Sequence, residues 1–294
     1  MKLKAHQQNN SSMTMLKKVF FGCTLFITIL AISVLSHASE TPSLEDSNSS
    51  PSASSLTSAP RKQSEPIANS TNQSYVRLTM PNGKGEDGKS LEYIHCGPKY
   101  ATTTKSMDNG NMEFILLHGA KFTKEDWATS GILDEICLEG GISAVAVDLS
   151  VRADGDGFRD AFRALVDGGI LSGKPLTVIS PSASGKAIVS LGSKAIDDVN
   201  VVKDLIKIWI PVASPAVLSV KDDAALKSFS AAGIEILAIH GDKDAMGEKV
   251  TKRLEDVVGA KSVELSGGHP VYLDSPHEFV ETVLNFVKGQ LSQS

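Results

Sequence analysis

Three serines stand at alternate positions in the stretch VISPSASGKAI, residues 178–188, between an apolar run and a segment with helical character. A serine hydroxyl becomes a nucleophile where a neighbouring base removes its proton. Nucleophilic serines often occupy a sharp strand-to-helix turn, with small residues two positions before and two positions after them. Ser180 and Ser184 supply these small residues around Ser182, and Gly185 follows. Ser182 is therefore the predicted nucleophile.

Other interpretations of this stretch stay open. A register centred on Ser184 would place Lys186 two positions after the nucleophile, where a long side chain fits badly. Ser180 would lie inside the strand, where no turn presents its hydroxyl. A third interpretation has no catalytic role: because the first flanking position lacks a glycine, the serines could simply cap the helix that begins near Ser184.

An acid and a base follow at the ends of later apolar runs. LAIHGDKDAMG contains Asp242 and Asp244, and VELSGGHPVYLDSPHE contains His269 after a double glycine. The order Ser182, Asp244, His269 is the order found in α/β-hydrolases, where each group follows the carboxyl end of a strand. His269 would accept the serine proton and Asp244 would orient the imidazole. Alone, Asp244 could be a helix cap and His269 a packed loop residue, and Asp242 is the alternative acid.

An oxyanion hole needs two main-chain N–H groups aimed at the developing negative charge. Ala183, the residue after the serine, is one predicted donor. The other is Ala120, in the loop that follows the apolar run FILLHG. His118 and Gly119 would shape this loop, and we expect a structural role for His118.

The sequence predicts catalysis without a resident cofactor or metal ion. No spacing of cysteines and histidines resembles a zinc site. Asp154 and Asp156, in the stretch DLSVRADGDG, are spaced like calcium ligands, but the downstream glutamate of a calcium loop is missing. We expect this stretch to form a mobile loop near the site.

The elements that must position these groups alternate from Tyr75 onward between short apolar runs and helical periodicity. This pattern predicts an α/β fold with a mostly parallel eight-stranded sheet flanked by helices. The first two strands would form an antiparallel entry. The stretch between Pro211 and Ile234 is too short for a large lid domain, so the site should be shallow or open. The predicted strands are YVRLTM, LEYIHC, EFILLHG, AVAVDL, PLTVIS, LIKIWIPVA, IEILAIHG and KSVEL.

The chain before the folded domain contains an apolar segment and a linker. Residues 19–35 carry no charge and follow two lysines, and small residues before position 39 suit a signal peptidase. A signal peptide (1–38) that is cleaved and a signal anchor that is retained both remain open. Residues 39–74 are rich in Ser, Thr and Pro and predict a disordered linker, which leaves 75–294 as the catalytic domain.

These features predict a secreted protein or a single-pass type II membrane protein of the secretory pathway, with membrane association through residues 19–35. A net charge of -5 argues against nucleic acid as a partner. Cys23 lies in the apolar segment, which leaves Cys96 and Cys137. A disulfide between them stays open, and we favour two separate buried thiols.

Between residues 114 and 291 these stretches resemble the α/β-hydrolase domain-containing protein 14 family, most specifically in SPSASG and GHPVYLD. The resemblance implies an α/β-hydrolase fold without a large lid and a triad of Ser182, Asp244 and His269. It also implies activity on small acyl groups, including removal of acetyl groups from protein lysines with coenzyme A as acceptor. Some family members carry an amino-terminal membrane anchor.

The chain departs from the family after VAVDL, where SVRADGDG replaces the usual Pro-Gly turn. This difference alters the expected pocket rim and substrate preference. Coenzyme A chemistry also fits poorly with a lumenal location, and a plastid reached through the secretory route would reconcile the two. The predicted function is hydrolysis of short acyl esters or amides by a serine hydrolase. The alternatives are acetyl transfer from lysine to coenzyme A and an inactive binding module with the same fold.

Overall fold

A computed structural model describes residues 74–78, 90–97, 112–138 and 142–292 of the chain. The predicted signal segment, residues 1–38, lies outside these ranges, as does the linker except for its last residue, Ser74. Among the described residues, no helix is both long and apolar enough to cross a membrane.

Strands and helices alternate along the described chain, as the hydrophobic pattern predicts. In order, the elements are β1 (Ser74–Leu78), β2 (Leu91–Cys96), β3 (Glu113–Leu116), α1 (Lys124–Thr129), α2 (Ile132–Leu138), β4 (Ser143–Val147), α3 (Gly155–Asp167), β5 (Leu176–Pro181), a 3-10 turn (Ser182–Ser184), α4 (Gly185–Ala195), α5 (Asn200–Lys203), β6 (Ile206–Val212), α6 (Ala216–Ser219), α7 (Ala224–Ala231), β7 (Glu235–Gly241), α8 (Ala245–Val258), β8 (Lys261–Leu265), α9 (Val271–Asp274) and α10 (Pro276–Leu291).

The strands form one eight-stranded sheet in the order β1-β2-β4-β3-β5-β6-β7-β8. β2 pairs antiparallel with β1 and β4, and the remaining pairs are parallel. The predicted mostly parallel sheet with an antiparallel entry is therefore confirmed. The connection after β3 leads to β4 on one side of the β3–β5 pair, and the connection after β5 leads to β6 on the other side. The order of strands therefore reverses at this pair. In open α/β sheets, ligands bind at such a switch point, beyond the carboxyl ends of the strands.

Helices cover both faces of the sheet because successive strand residues point to opposite sides. On one face α3, α4, α7 and α8 bury apolar side chains around Trp209. On the other face α1, α2 and α10 pack around Trp127, which stacks on Tyr272 at 4.5 Å between ring centroids. The buried parallel strands are apolar on both faces, which explains why they appear as continuous apolar runs in the sequence.

The connection between β6 and β7 contains two short helices, α6 and α7, which pack against α4 and α8. No large lid is inserted in this connection, all of whose residues are described, as the length of the stretch predicts.

A disulfide joins Cys96, at the end of β2, to Cys137 on α2, with a Cα–Cα distance of 6.1 Å. The expectation of two separate thiols was wrong. The hydrophobic pattern predicts both elements but not which helix covers which strand. Because α2 packs against β2 and β4, it brings the second cysteine to the first.

Candidate active site

The three serines of the β5–α4 turn have different neighbours. Ser180 is buried, and its Oγ accepts a hydrogen bond of 2.8 Å from Nε1 of Trp209. Ser184 is also buried and donates its hydroxyl to the carbonyl of Pro181 at 2.8 Å. Of the three hydroxyls, Ser182 Oγ is the one that meets an imidazole, at 2.8 Å from Nε2 of His269.

Ser182 lies at the first position of the 3-10 turn with a φ of 50°, a backbone conformation that non-glycine residues adopt rarely. This conformation ends β5 abruptly and turns the chain into α4. The small residue that allows the turn is Gly185, because a Cβ there would lie 1.7 Å from Oγ of Ser214 on the loop after β6. The sharp turn therefore depends on close contact between two adjacent loops.

His269 connects the serine to a carboxylate. Its Nδ1 lies 2.7 Å from Oδ2 of Asp244, and its Nε2 faces the hydroxyl of Ser182. An ionised carboxylate can only accept a hydrogen bond, so the proton belongs on Nδ1 and Nε2 is left to accept from the serine. The side chain of Asp244 is 8% exposed and that of His269 is 39% exposed, so the acid is shielded while the base is reached from solvent.

The two aspartates after β7 have different contacts. Asp244 is the N-cap of α8, where its Oδ1 accepts a hydrogen bond from the main-chain N–H of Met246 at 3.2 Å, while Oδ2 faces His269. Helix cap and histidine partner are thus two contacts of one residue, not alternatives. Asp242 accepts a hydrogen bond of 2.8 Å from the N–H of Gly267 and so stabilises the loop after β8 that carries His269.

Two further hydrogen bonds, from residues at the end of α9, stabilise the same loop. The Oδ2 of Asp274 accepts from the N–H of Gly268 at 2.7 Å, and Ser275 donates its hydroxyl to the carbonyl of Ser266 at 2.6 Å. A glycine is required at position 267, where φ is 153° and a Cβ would lie 2.8 Å from Cβ of Asp274. Asp274 is the last residue of the GHPVYLD stretch, and the sequence alone does not indicate this role for it.

The loop after β3 passes beside the serine. A Cβ built on Gly119 would lie 3.6 Å from Cβ of Ser182, so the residue that precedes Ala120 lies next to the serine. Within the described part of the chain, the N–H of Ala120 has no hydrogen-bond partner. Ala183 is at the start of the helical segment, where the first amides have no partner within the helix. His118 donates from Nδ1 to the carbonyl of Gly119 at 2.9 Å, a contact within the loop itself.

This loop is anchored by a buried lysine that sequence reasoning missed. Asp148, at the end of β4, accepts from both the main-chain N–H and the Nζ of Lys124, each at 2.7 Å. The lysine side chain is 6% exposed and also pairs with Glu92 at 3.2 Å and Glu125 at 2.7 Å. Burial alone would lower the pKa of Lys124, but hydrogen bonds to the three carboxylates outweigh burial and hold that pKa above its usual value.

Hydrogen bonds hold the carboxyl-terminal half of the DLSVRADGDG stretch in place. Asp154 caps α3 by accepting hydrogen bonds from the N–H groups of Asp156 and Gly157, so its carboxylate has a structural use. Lys186 on α4 donates to the carbonyl of Arg152 at 3.1 Å. Among the described residues, no group of three or more His, Cys, Asp or Glu side chains could hold a metal ion.

A cavity of about 420 Å³ lies on the opposite edge of the sheet. It is lined by residues at or before the starts of β3, β5, β6 and β7, among them Glu113, Pro175, Ile206 and Ile234. Because Ser182, Asp244 and His269 follow the carboxyl ends of their strands, this cavity is not part of the site that they form.

Comparison with known proteins gives one type of sequence relative and many structures of the same fold. No family model matches the chain. It is 29% identical over 190 residues to the "Putative protein-lysine deacylase ABHD14B" of Pongo abelii and of Homo sapiens, an alignment that covers 60% of this chain and 82% of each relative. The crystal structure of a "predicted CIB-like hydrolase" from Thermoplasma acidophilum superimposes with a TM-score of 0.56 at 18% identity, and the alignment covers 74% of this chain and 99% of that chain.

Proposed function

We propose that this chain, which has the α/β-hydrolase fold and resembles the ABHD14B proteins in sequence, is a serine hydrolase that cleaves short acyl esters or amides. The observation that carries the proposal is the continuous hydrogen-bonded chain from Ser182 through His269 to Asp244. A nucleophile, a base and a group that orients the base are the parts that acyl transfer to serine requires. These hydrogen bonds between Ser182, His269 and Asp244 also argue against an inactive binding module.

In the first half of the reaction, Oγ of Ser182 attacks the acyl carbon while Nε2 of His269 takes the serine proton. The carbonyl oxygen becomes an oxyanion, and the N–H groups of Ala120 and Ala183 stabilise its charge. When the intermediate collapses, the bond to the leaving alcohol or amine breaks, and His269 gives that group its proton. The acyl group is then an ester of Ser182.

In the second half, water attacks the acyl-enzyme and gives its proton to Nε2 of His269. Collapse of the second intermediate breaks the ester bond, returns the proton to Oγ of Ser182 and releases a carboxylic acid. The carboxylate of Asp244 stabilises the imidazolium that forms in each half. The side-chain exposure of His269 leaves the site open to solvent, which suits entry of water and of an acyl group carried on a larger molecule.

Two observations bear on the substrate. The ABHD14B relatives are named as lysine deacylases, which supports an acylated lysine as one substrate class. The open site and the short connection between β6 and β7 are compatible with a side chain presented by another protein. Transfer of the acyl group to coenzyme A would use the same acyl-enzyme, with a thiol in place of water in the second half. Product analysis with and without coenzyme A separates the two outcomes.

The proposal is tested by comparing Ser182→Ala with Ser184→Ala in hydrolysis of p-nitrophenyl acetate and of an acetyl-lysine peptide. Loss of the nucleophile should lower turnover by about a thousandfold or more. Ser184→Ala removes only a hydroxyl that bonds to the carbonyl of Pro181, so it should retain most activity. Full activity in Ser182→Ala would refute the assignment. Loss of activity in Ser184→Ala alone would move the nucleophile to that position.

A further inference from the structure

Ser214 forms a hydrogen bond to the main chain of the serine turn. It is buried on the loop after β6, and its Oγ donates to the carbonyl oxygen of Ser182 at 2.9 Å. Its neighbour Ala213 has a φ of 47°, and Ala213 and Ser182 are the two described non-glycine residues with a positive φ. The hydrogen bond thus connects two unusual backbone conformations at the ends of adjacent strands.

The carbonyl of Ser182 and the N–H of Ala183 belong to the same peptide group. That group is planar and trans, so the C=O and N–H bonds point in opposite directions. The carbonyl of Ser182 accepts from the main-chain N–H of Gly185 within the turn and from the hydroxyl of Ser214 across to the next loop. Because the two bonds of the peptide group are fixed relative to each other, the Ser214 hydroxyl, as the second of these donors, also helps to fix the direction of the amide proton. A hydrogen bond accepted at the carbonyl also polarises the peptide group and strengthens the N–H as a donor.

We propose that Ser214 is a positioning residue of the oxyanion hole, which aims and polarises the N–H of Ala183. This inference rests on the proposed function and adds a residue to its machinery. Ser214 acts through the Ser182–Ala183 peptide group and touches no reacting atom. Gly185 is part of the arrangement, because any side chain there would displace the Ser214 hydroxyl.

A positioning role of Ser214 and a purely structural role predict different changes in kcat and KM when its hydroxyl is removed. An oxyanion donor is used most strongly when negative charge has developed, so a weaker donor should lower kcat and leave KM nearly unchanged. A loss of structural support alone lowers thermal stability without that pattern. Ser228 on α7 offers a matched control, because it is also buried and its hydroxyl lies within hydrogen-bond distance of two main-chain carbonyls outside the serine turn, those of Gly192 on α4 at 2.8 Å and of Ala225 on α7 at 2.9 Å.

The experiment compares Ser214→Ala, Ser214→Thr and Ser228→Ala in kinetics of p-nitrophenyl acetate hydrolysis and in binding of a boronic acid, which mimics the tetrahedral intermediate. Removing an oxyanion donor costs about a hundredfold to a thousandfold in kcat, so weakening one should cost about tenfold. Ser214→Ala should lose about tenfold in kcat and the same factor in boronic acid affinity. Ser214→Thr keeps the hydroxyl and should recover most of both. Ser228→Ala should lower the melting temperature only.

A readout that needs no turnover separates this proposal from the proposed function. The amide nitrogen resonance of Ala183 in the folded protein should move upfield in Ser214→Ala and stay in place in Ser228→Ala. If the wild type neither turns over substrate nor binds the boronic acid, the proposed function fails, and the resonance still tests the polarisation. An unchanged Ala183 resonance, or equal losses of kcat in Ser214→Ala and Ser228→Ala, would overturn the role of Ser214.

Discussion

His269 depends on Asp244 for the position of its proton, since Nδ1 faces a carboxylate that can only accept. Asp244→Asn replaces one carboxylate oxygen by an NH2 group that can donate to Nδ1, which would move the proton to Nε2 and leave the serine without a base. We expect kcat to fall by up to about ten-thousandfold while the fold is kept. The measurement is kcat for p-nitrophenyl acetate together with a melting curve.

Asp242→Asn is the matched control for that change. The asparagine keeps an oxygen that can accept from the N–H of Gly267, so activity should change little. Equal activity losses in the two variants would contradict the assignment of Asp244 as the group that orients the histidine.

At the residue scale, the sequence indicated which three side chains would lie together, but not the residues that hold them in place. Ser182, Asp244 and His269 were chosen by residue type, order and position after apolar runs, and the structure brings the three side chains together. Asp148 and Ser214 were not identified. Their partners are the buried ammonium of Lys124 on α1 and the main-chain carbonyl of Ser182 after β5, and no spacing along the chain reports such contacts.

At the scale of elements, Lys124 and the three carboxylates around it join the start of α1, after the β3 loop, to β2 and to the end of β4. Lys124→Met would leave three carboxylates together and remove the Nζ contact to Asp148, while the hydrogen bond from the main-chain N–H remains. Loss of one partner of a buried ion pair costs about 3 to 5 kcal/mol, and we expect the low end because Glu92 and Glu125 are partly exposed. Urea unfolding at neutral pH measures the free energy of unfolding.

The raised pKa of Lys124 gives this prediction a pH signature. The folded state holds the lysine proton more tightly than the unfolded state, so the stabilisation is complete below the ordinary lysine pKa of about 10.4. It is lost as the pH rises through the higher pKa of the folded state. The stability difference between wild type and Lys124→Met should therefore narrow above about pH 10.4. A difference that grows with alkaline pH would contradict this account.

The disulfide joins β2 to α2 across a sequence separation of 41 residues. Such a link restricts the unfolded chain, so Cys137→Ser should lower the free energy of unfolding by about 4 kcal/mol. Unfolding with and without a reductant provides the control: the reductant should weaken the wild type by a similar amount and leave the variant unchanged. Mass-tagged alkylation of both Cys96 and Cys137 in the native protein, without prior reduction, would refute the bond.

At the scale of the whole molecule, the sheet order places the chemistry. Ser182 and His269 are separated by 87 residues, yet they meet because β5, β7 and β8 are parallel and their carboxyl ends share one edge. The alternation of apolar runs predicted this edge correctly. Which helix covers which strand depends on side-chain packing between distant segments, and for that reason the Cys96–Cys137 link could not be predicted from periodicity.

The location of the protein is a second question at this scale. We propose that residues 19–35 direct the chain into the secretory pathway, as a retained anchor or as part of a cleaved signal peptide. The full chain expressed in eukaryotic cells should be protected from added protease in intact microsomes, and a chain without residues 1–38 should be digested. Carbonate extraction then distinguishes the two forms, since an anchor stays with the membrane. Digestion of the full chain in intact microsomes would rule out a lumenal domain.

The central claim is that Ser182 is an activated nucleophile, and the most direct test is labelling of the folded protein with a fluorophosphonate followed by peptide mapping. We predict one adduct, on Ser182, which is absent from Ser182→Ala and forms far more slowly in His269→Ala. An adduct on another serine, or no adduct on a protein that unfolds cooperatively, would contradict the account.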